Sequence, residues 1–339
     1  MSMRALVISA PHVAEVQDVP HPHATTGHVV VDVERVGVCG TDVEFFTGEM
    51  AYLQTGEAHY PMRIGHEWSG IVSAVGDSDG ESWLGQRVTG DTMLGCGRCE
   101  RCASGRHHVC ADRYEIGIRR GWPGALAERL LVPTSALRAL PDSVDPTCGA
   151  LVEPGGNAVR AFEAADVGQG ERVLVLGPGT IGLLVAMIAV AEGADVHLIG
   201  RSEDSLAFAH GLGFQDVWTR EGLPDLPFHA VVDASDSPGL PALAVELVEP
   251  GRRVVSIGLA GEPSLVDSRM VTLKDVTLVG ILGGSAGLDH AIELYAAGAV
   301  DPRPLVADTV ALEDAAGVLA GDRSRDWGAA PRVHIDPRR

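Results

Sequence analysis

The sequence has no long apolar run. Its longest, Ile181 to Ala191 with a single glycine inside, falls far short of the roughly 20 residues that a membrane-spanning helix needs. The opening MSMRALVISAP has only a short apolar stretch and carries no secretory signal, so the expectation is a cytoplasmic protein with no membrane partner. Positive charge is scarce as well. Twenty-six lysines and arginines face 46 aspartates and glutamates, for a formal net charge of -20. A phosphate backbone or an anionic lipid surface would repel such a chain, and no nucleic-acid partner is expected. The acidic residues are spread along the chain, which suits solubility better than a dedicated acidic tail. Repeats and low-complexity tracts are missing too. What is present is an ordinary globular composition, 45% hydrophobic and 21% charged, with length enough at 339 residues for two domains.

The first 150 residues pattern as β-rich. Val29, Val31 and Val33 alternate with other residues, and GIVSAVG and RVTGD are short β-branched runs bounded by glycine. From about 170 the pattern becomes strand followed by helix. VLVL (173–176) precedes a helical stretch to about 192, and VHLI (196–199) precedes Leu206, Ala209, His210 and Leu212 on helical spacing. AVVDA, a helix near 239–248, RVVSI and TLVGI follow. Such alternation predicts an α/β fold with a parallel sheet and crossover helices. GGN and GQG interrupt the pattern between 155 and 170, where a domain break is expected. The last fifty residues return to mixed helix and strand, ending in RVHI.

Two motifs carry chemistry at once. Cys96, Cys99, Cys102 and Cys110 form C-x2-C-x2-C-x7-C, too clustered for a disulfide framework in a chain this size. Four thiolates on a tight loop can close a tetrahedron around zinc and leave no open position, so the metal would be structural. An iron–sulfur cluster is the rival occupant. With four thiols present, His107 and His108 are expected at the surface. Gly177-x-Gly179-x-x-Gly182, with Thr180 and Ile181 inside it, follows a predicted strand and opens an apolar helix, the context of a dinucleotide site. The first glycine suits the tight turn, the second the approach of pyrophosphate, and the third close helix–strand packing. A plain strand-to-helix turn is the other reading.

GVCGTDVE (37–44) and GHEWSG (65–70) complete the picture. With the cysteine lobe and the glycine loop, they resemble the zinc-dependent medium-chain dehydrogenase/reductase (alcohol dehydrogenase) family nearly end to end. The resemblance implies a GroES-like β-rich catalytic domain over 1–155, with a structural-zinc lobe at about 93–112, completed by 290–339. A Rossmann doubly wound sheet would occupy 156–289. It also implies a catalytic zinc on Cys39, His66 and Glu67, with Glu153 of LVEP close enough to ligate zinc or hold its water. Zinc in an open site would polarise an alcohol to its alkoxide, from which hydride passes to nicotinamide.

Within that resemblance, Asp42 would support His66 from behind and Thr41 would pass the substrate proton; a turn or helix cap is the other reading of both. Glu44 stands where many members carry histidine, and reads equally as the end of the proton relay or as a solvated carboxylate. Gly155-Gly156-Asn157 departs from the family pattern in the loop after Glu153. Arg201 falls where an NAD site carries an acid, and with Ser202 predicts NADP in preference to NAD. Glu203 and Asp204 read as helix-start residues facing solvent.

GHEWSG, GDTMLGCGRC, YEIG with GALAE, and LKDVTL with AIELYAAGAVDP look most like the polyol (sorbitol), threonine and aminocyclitol dehydrogenase branch. C-G-T-D-x-E is shared with glucose dehydrogenases. The implied reaction is oxidation of a secondary alcohol of a polyol, sugar or cyclitol to a ketone, by a homodimer or homotetramer. Glucose or threonine dehydrogenase-like activity, or a quinone-reductase-like or non-catalytic cofactor-binding role, are the alternatives. Glu44, Glu57, His59 and Arg119 are candidates to face a polar substrate, while Trp68, Trp83 and Trp122 fit core, interface or pocket.

Overall fold

The computed structural model describes residues 2–339. The chain divides into two compact units, one formed by residues up to Glu153 together with Leu305–Arg339, the other by Pro154–Pro304. The first unit is built on a seven-stranded, mostly antiparallel sheet. Its central strand, His28–Gly37, pairs with Glu67–Val75, Arg129–Pro133 and Arg332–Asp336. Neighbours on both sides explain why Val29, Val30, Val31 and Val33 are all buried, where alternation alone would bury every second residue. One face of this strand and Trp68, Ile64 and Leu126 join a single hydrophobic core.

The second unit carries six parallel strands. Their spatial order is Val217–Trp218, Asp195–Ile199, Arg172–Leu176, Phe228–Asp233, Val248–Ser256 and Thr277–Gly280. Numbered within the unit this is 3-2-1-4-5-6, the doubly wound order of dinucleotide-binding sheets. Parallel strands covered on both faces read as near-continuous apolar runs, and RVLVL and FHAVVD are buried accordingly. No helix among the described residues is long and apolar enough to cross a membrane.

One local reading is corrected. Gly155-Gly156-Asn157 is neither a loop nor an interruption but lies inside the helix Val152–Ala165. Glycine costs a helix about 1 kcal/mol relative to alanine, so packing must decide. A Cβ at Gly155 would collide with the Tyr295 hydroxyl, and one at Gly156 would come 2.8 Å from both the Gly284 carbonyl and the Leu288 side chain. The pair lets this helix approach the Leu288–Ala296 helix and the turn before it.

Candidate functional site

Cys39, His66 and Glu67 come together: each offers a ligand atom, and all three atoms lie within 4.8 Å of one another. The local folding that achieves this centres on Asp42, which is fully buried. One carboxylate oxygen accepts the Cys39 N–H at 2.9 Å, capping the helix Gly40–Thr47, and the other accepts the Gly65 N–H at 3.1 Å. A single side chain thus ties together the two segments that carry Cys39 and His66. Asp42 also stands 3.5 Å from His66 Nδ1, so it is both a cap and a neighbour of the imidazole. Burial works against a charge on His66, but Asp42 first and Cys39 second hold the ring well above its ordinary pKa.

Glu67 has a partner that the sequence reading did not name. Arg332, buried on the last strand, donates to Glu67 Oε1 at 2.8 Å and to the Val38 carbonyl at 2.5 Å. Glu67 Oε2 is buried with no hydrogen-bond partner. Gly37 sits opposite Glu67 in one register and opposite His334 in the other, and a Cβ there would collide with Glu67 Oε2. Glycine at 37 is the notch over which the carboxylate lies. Burial, Arg332 and Arg35 push His334 down to about 3, so it stays neutral in this row. Gly37→Ala is expected to displace the Glu67 carboxylate and lower kcat/KM about tenfold, in the range typical of groups that orient metal ligands. Steady-state kinetics indistinguishable from wild type would show that the notch positions nothing.

Thr41 is partly buried on the first turn of the same helix. Glu44, one turn on, is half-buried, and its carboxyl is raised by burial and then by Glu49, so it is not a freely solvated surface acid. Glu153 is buried in the first turn of Val152–Ala165, outside the three-residue group.

The four cysteines of the lobe are gathered as well. Sγ–Sγ separations are 3.6 Å for Cys99–Cys102, 3.7 Å for Cys99–Cys110 and 4.0 Å for Cys96–Cys102, and all four are free thiols. A tetrahedron with metal–sulfur bonds of about 2.3 Å has edges of about 3.8 Å, so these spacings suit one ion. Backbone N–H groups of Arg98 and Cys99 lower Cys96 to about 6, while burial pushes Cys102 up to about 11. The surface expectation fails for His108, which is buried, whereas His107 is partly exposed. His107 Nε2 is 2.6 Å from the buried Asp91 carboxylate, and His108 is buried. A Cβ at Gly95 would lie 2.7 Å from His107 Cβ, so the lobe folds down closely enough for His107 to reach Asp91.

In the second unit the three loop glycines have three different reasons. Gly177 has φ +94° and a Cβ there would press on Ala234 and Ser235. Gly179 precedes the helix Thr180–Ala191 and has open space where a side chain would stand. A Cβ at Gly182 would collide with the Gly177 carbonyl. The backbone amides of Thr180 and Ile181 therefore begin a helix whose N-terminus is unobstructed at Gly179, as an anion site requires. A Cβ at Gly200 would lie 2.8 Å from Pro178, so the backbone just before the exposed Arg201 runs close to this loop. Ser202 is the N-cap of Glu203–Gly211, accepting the Ser205 N–H and donating to the Ser205 hydroxyl at 2.8 Å. Glu203 and Asp204 are exposed in its first turn.

Comparison with known proteins agrees with both halves. Residues 25–142 match the family model of the alcohol dehydrogenase GroES-like domain, and residues 180–297 match that of the zinc-binding dehydrogenase. The L-threonine 3-dehydrogenase of Rhizobium rhizogenes is 30% identical over 325 residues, covering 92% of this chain and 93% of the relative. The chain belongs to the zinc-dependent medium-chain dehydrogenase family. A Sinorhizobium meliloti protein solved bound to NADP superposes with a TM-score of 0.90 at 25% identity, over 99% of this chain and 100% of that one. Galactitol-1-phosphate dehydrogenase from Escherichia coli does so with a TM-score of 0.87 at 25% identity, over 99% and 100%. This dehydrogenase is an enzyme of the zinc-dependent alcohol dehydrogenase type, with GroES-like and Rossmann-like halves.

Several polar residues of the dehydrogenase are engaged internally. Arg119, a candidate to face substrate, is buried, pairs with Glu57 and lies 5.7 Å over the Tyr52 ring. Tyr52 in turn meets Glu115 and Arg113. Trp68 is core, and Trp83 and Trp122 pack partly buried against it. Asp195, His197 and Asp216 also bring ligand atoms within 4.8 Å. Trp218 Nε1, a donor only, bonds His197 Nδ1 at 3.1 Å, so the ring proton sits on Nε2, 3.6 Å from Asp195. A protonated nitrogen holds no cation, and the other ring nitrogen of His197 is taken by Trp218.

Proposed function

We propose that this dehydrogenase reversibly oxidises a secondary hydroxyl of a polyol, sugar or cyclitol to a ketone. The catalytic zinc would be held by Cys39, His66 and Glu67, with Glu153 as a further candidate, and a second, structural zinc by Cys96, Cys99, Cys102 and Cys110. The observation that carries the reading is the meeting of a thiol, an imidazole and a carboxylate within 4.8 Å, with Glu67 Oε2 buried and without a hydrogen-bond partner among the described residues. That donor set fits zinc. Zinc bound there would supply a Lewis acid that lowers the pKa of an alcohol oxygen. Asp42 holds the His66 ring in place, as the supports of ligand histidines do. Arg332 fixes one oxygen of Glu67 and leaves the other without a hydrogen-bond partner among the described residues. Thr41 would relay the substrate proton, giving up its own hydroxyl proton as it accepts, and the Glu44 carboxylate, whose proton affinity burial raises, would take that proton up.

The open helix start at Gly179, Thr180 and Ile181 receives the cofactor pyrophosphate, with Gly177 and Gly182 shaping the turn. Arg201 receives a 2′-phosphate, which favours NADP over NAD; Ser202 contributes through the turn that it caps. A homodimer or homotetramer would bury the exposed Leu259, Leu265, Leu273, Leu278 and Leu282, which lie on and around the edge strand Thr277–Gly280.

The test is turnover across polyols, sugars, cyclitols and L-threonine with each cofactor. A polyol or cyclitol is expected to lead, with kcat/KM for NADP at least tenfold above NAD, and Arg201→Ala is expected to erase that preference. Turnover of L-threonine alone would replace the substrate class, and a preference for NAD would remove the role of Arg201.

A further inference from the structure

A cavity of the first unit, of about 360 Å³, is lined by none of Cys39, His66, Glu67 and the four lobe cysteines. Its walls are largely apolar: Val7, Val19, Met62, Ile118 and Trp122 face it, together with Arg63. No aspartate or glutamate lines it. Arg63 is partly buried, and among the described residues its guanidinium has no ion pair and no hydrogen bond. Its backbone is pinned, since the Arg63 carbonyl accepts the Gly124 N–H at 2.9 Å and neighbouring Met62 exchanges two 2.9 Å bonds with Ile8. Burial lowers the basicity of Arg63, with no carboxylate acting to restore it.

Although the chain carries 46 acidic residues, none among the described residues pairs with this half-buried cation. Taking a guanidinium out of water is unfavourable unless an anion meets it. We propose that this cavity binds a small monocarboxylate with a short apolar body, its carboxylate on Arg63 and its chain along Val7, Val19, Ile118 and Trp122. The guanidinium fork matches a carboxylate in two parallel hydrogen bonds. One cation suits a single negative charge, and the apolar lining suits a hydrocarbon chain better than a bare inorganic anion. The volume is at the small end for ligand pockets, which limits the ligand to a few carbons. Gln17 and His59, exposed at the cavity, offer further hydrogen-bonding groups.

The experiment is calorimetric titration of the zinc-loaded dehydrogenase with hexanoate, 1-hexanol and inorganic phosphate. Hexanoate is expected to bind, with 1-hexanol and phosphate each at least tenfold weaker. Arg63→Leu should weaken hexanoate at least tenfold, and Val19→Trp, which fills the cavity while keeping the cation, should do the same. Cys39→Ser should leave the affinity unchanged, which separates this cavity from the proposed catalytic centre. Hexanoate affinity that survives both Arg63→Leu and Val19→Trp, or that is lost in Cys39→Ser, would overturn the proposal. So would phosphate binding as tightly as hexanoate, or no hexanoate binding at all.

Discussion

Cys39→Ser is expected to lower kcat at least about a thousandfold while leaving the fold in place. The thiol supplies one of three groups that meet around the proposed zinc, and a serine hydroxyl is neither soft nor ionised at neutral pH. Lewis-acid stabilisation worth several kcal/mol is then lost, and each 1.4 kcal/mol is about tenfold in rate. Structure should survive for a local reason. Residue 39 is the N-cap of Gly40–Thr47, and the Asp42 bond goes to its backbone N–H. Serine is among the best N-cap residues, so the helix start is if anything better capped. Circular dichroism and thermal melting close to wild type, with turnover gone, are the expected pair of results. Retained turnover would remove Cys39 from the catalytic centre.

Cys99→Ser should do the opposite, costing stability first. Cys99 Sγ lies 3.6 Å from Cys102 and 3.7 Å from Cys110, so it shares two edges of the thiol cage. The lobe has little else to hold it, because most residues from 96 to 106 are exposed or only partly buried. Where a metal substitutes for a core, its binding energy is folding energy. A loss of about 3–5 kcal/mol corresponds to a fall in Tm of about 10 °C for a unit of this size. Zinc content should drop by one per chain, and activity measured at low temperature should persist. An unchanged melting temperature with one zinc lost would show that the lobe folds without its metal.

Much of the second unit was legible because its physics is local and repetitive. Buried parallel strands must be apolar along their length, and a glycine fingerprint between strand and helix has few other uses. The misreadings arose where distant contacts overrule local preference. Gly155 and Gly156 look like a helix break by propensity, yet Tyr295, Gly284 and Leu288 leave no room for any Cβ. His107 and His108 look superfluous beside four thiols, yet His107 reaches Asp91 from a partly exposed position and His108 is buried. Arg332 was invisible because its partner Glu67 lies at the other end of the sequence. Its one signal in the sequence is an arginine opening the otherwise strand-like RVHI. Ser202, which the resemblance places in the cofactor site, uses its hydroxyl to cap a helix.

The most direct test of the two-zinc account is anomalous diffraction at the zinc edge from crystals of the purified dehydrogenase. Two peaks per chain are expected, one among Cys39, His66 and Glu67 and one enclosed by Cys96, Cys99, Cys102 and Cys110. A single peak in the cysteine lobe, with none at Cys39 and His66 in catalytically active protein, would contradict it.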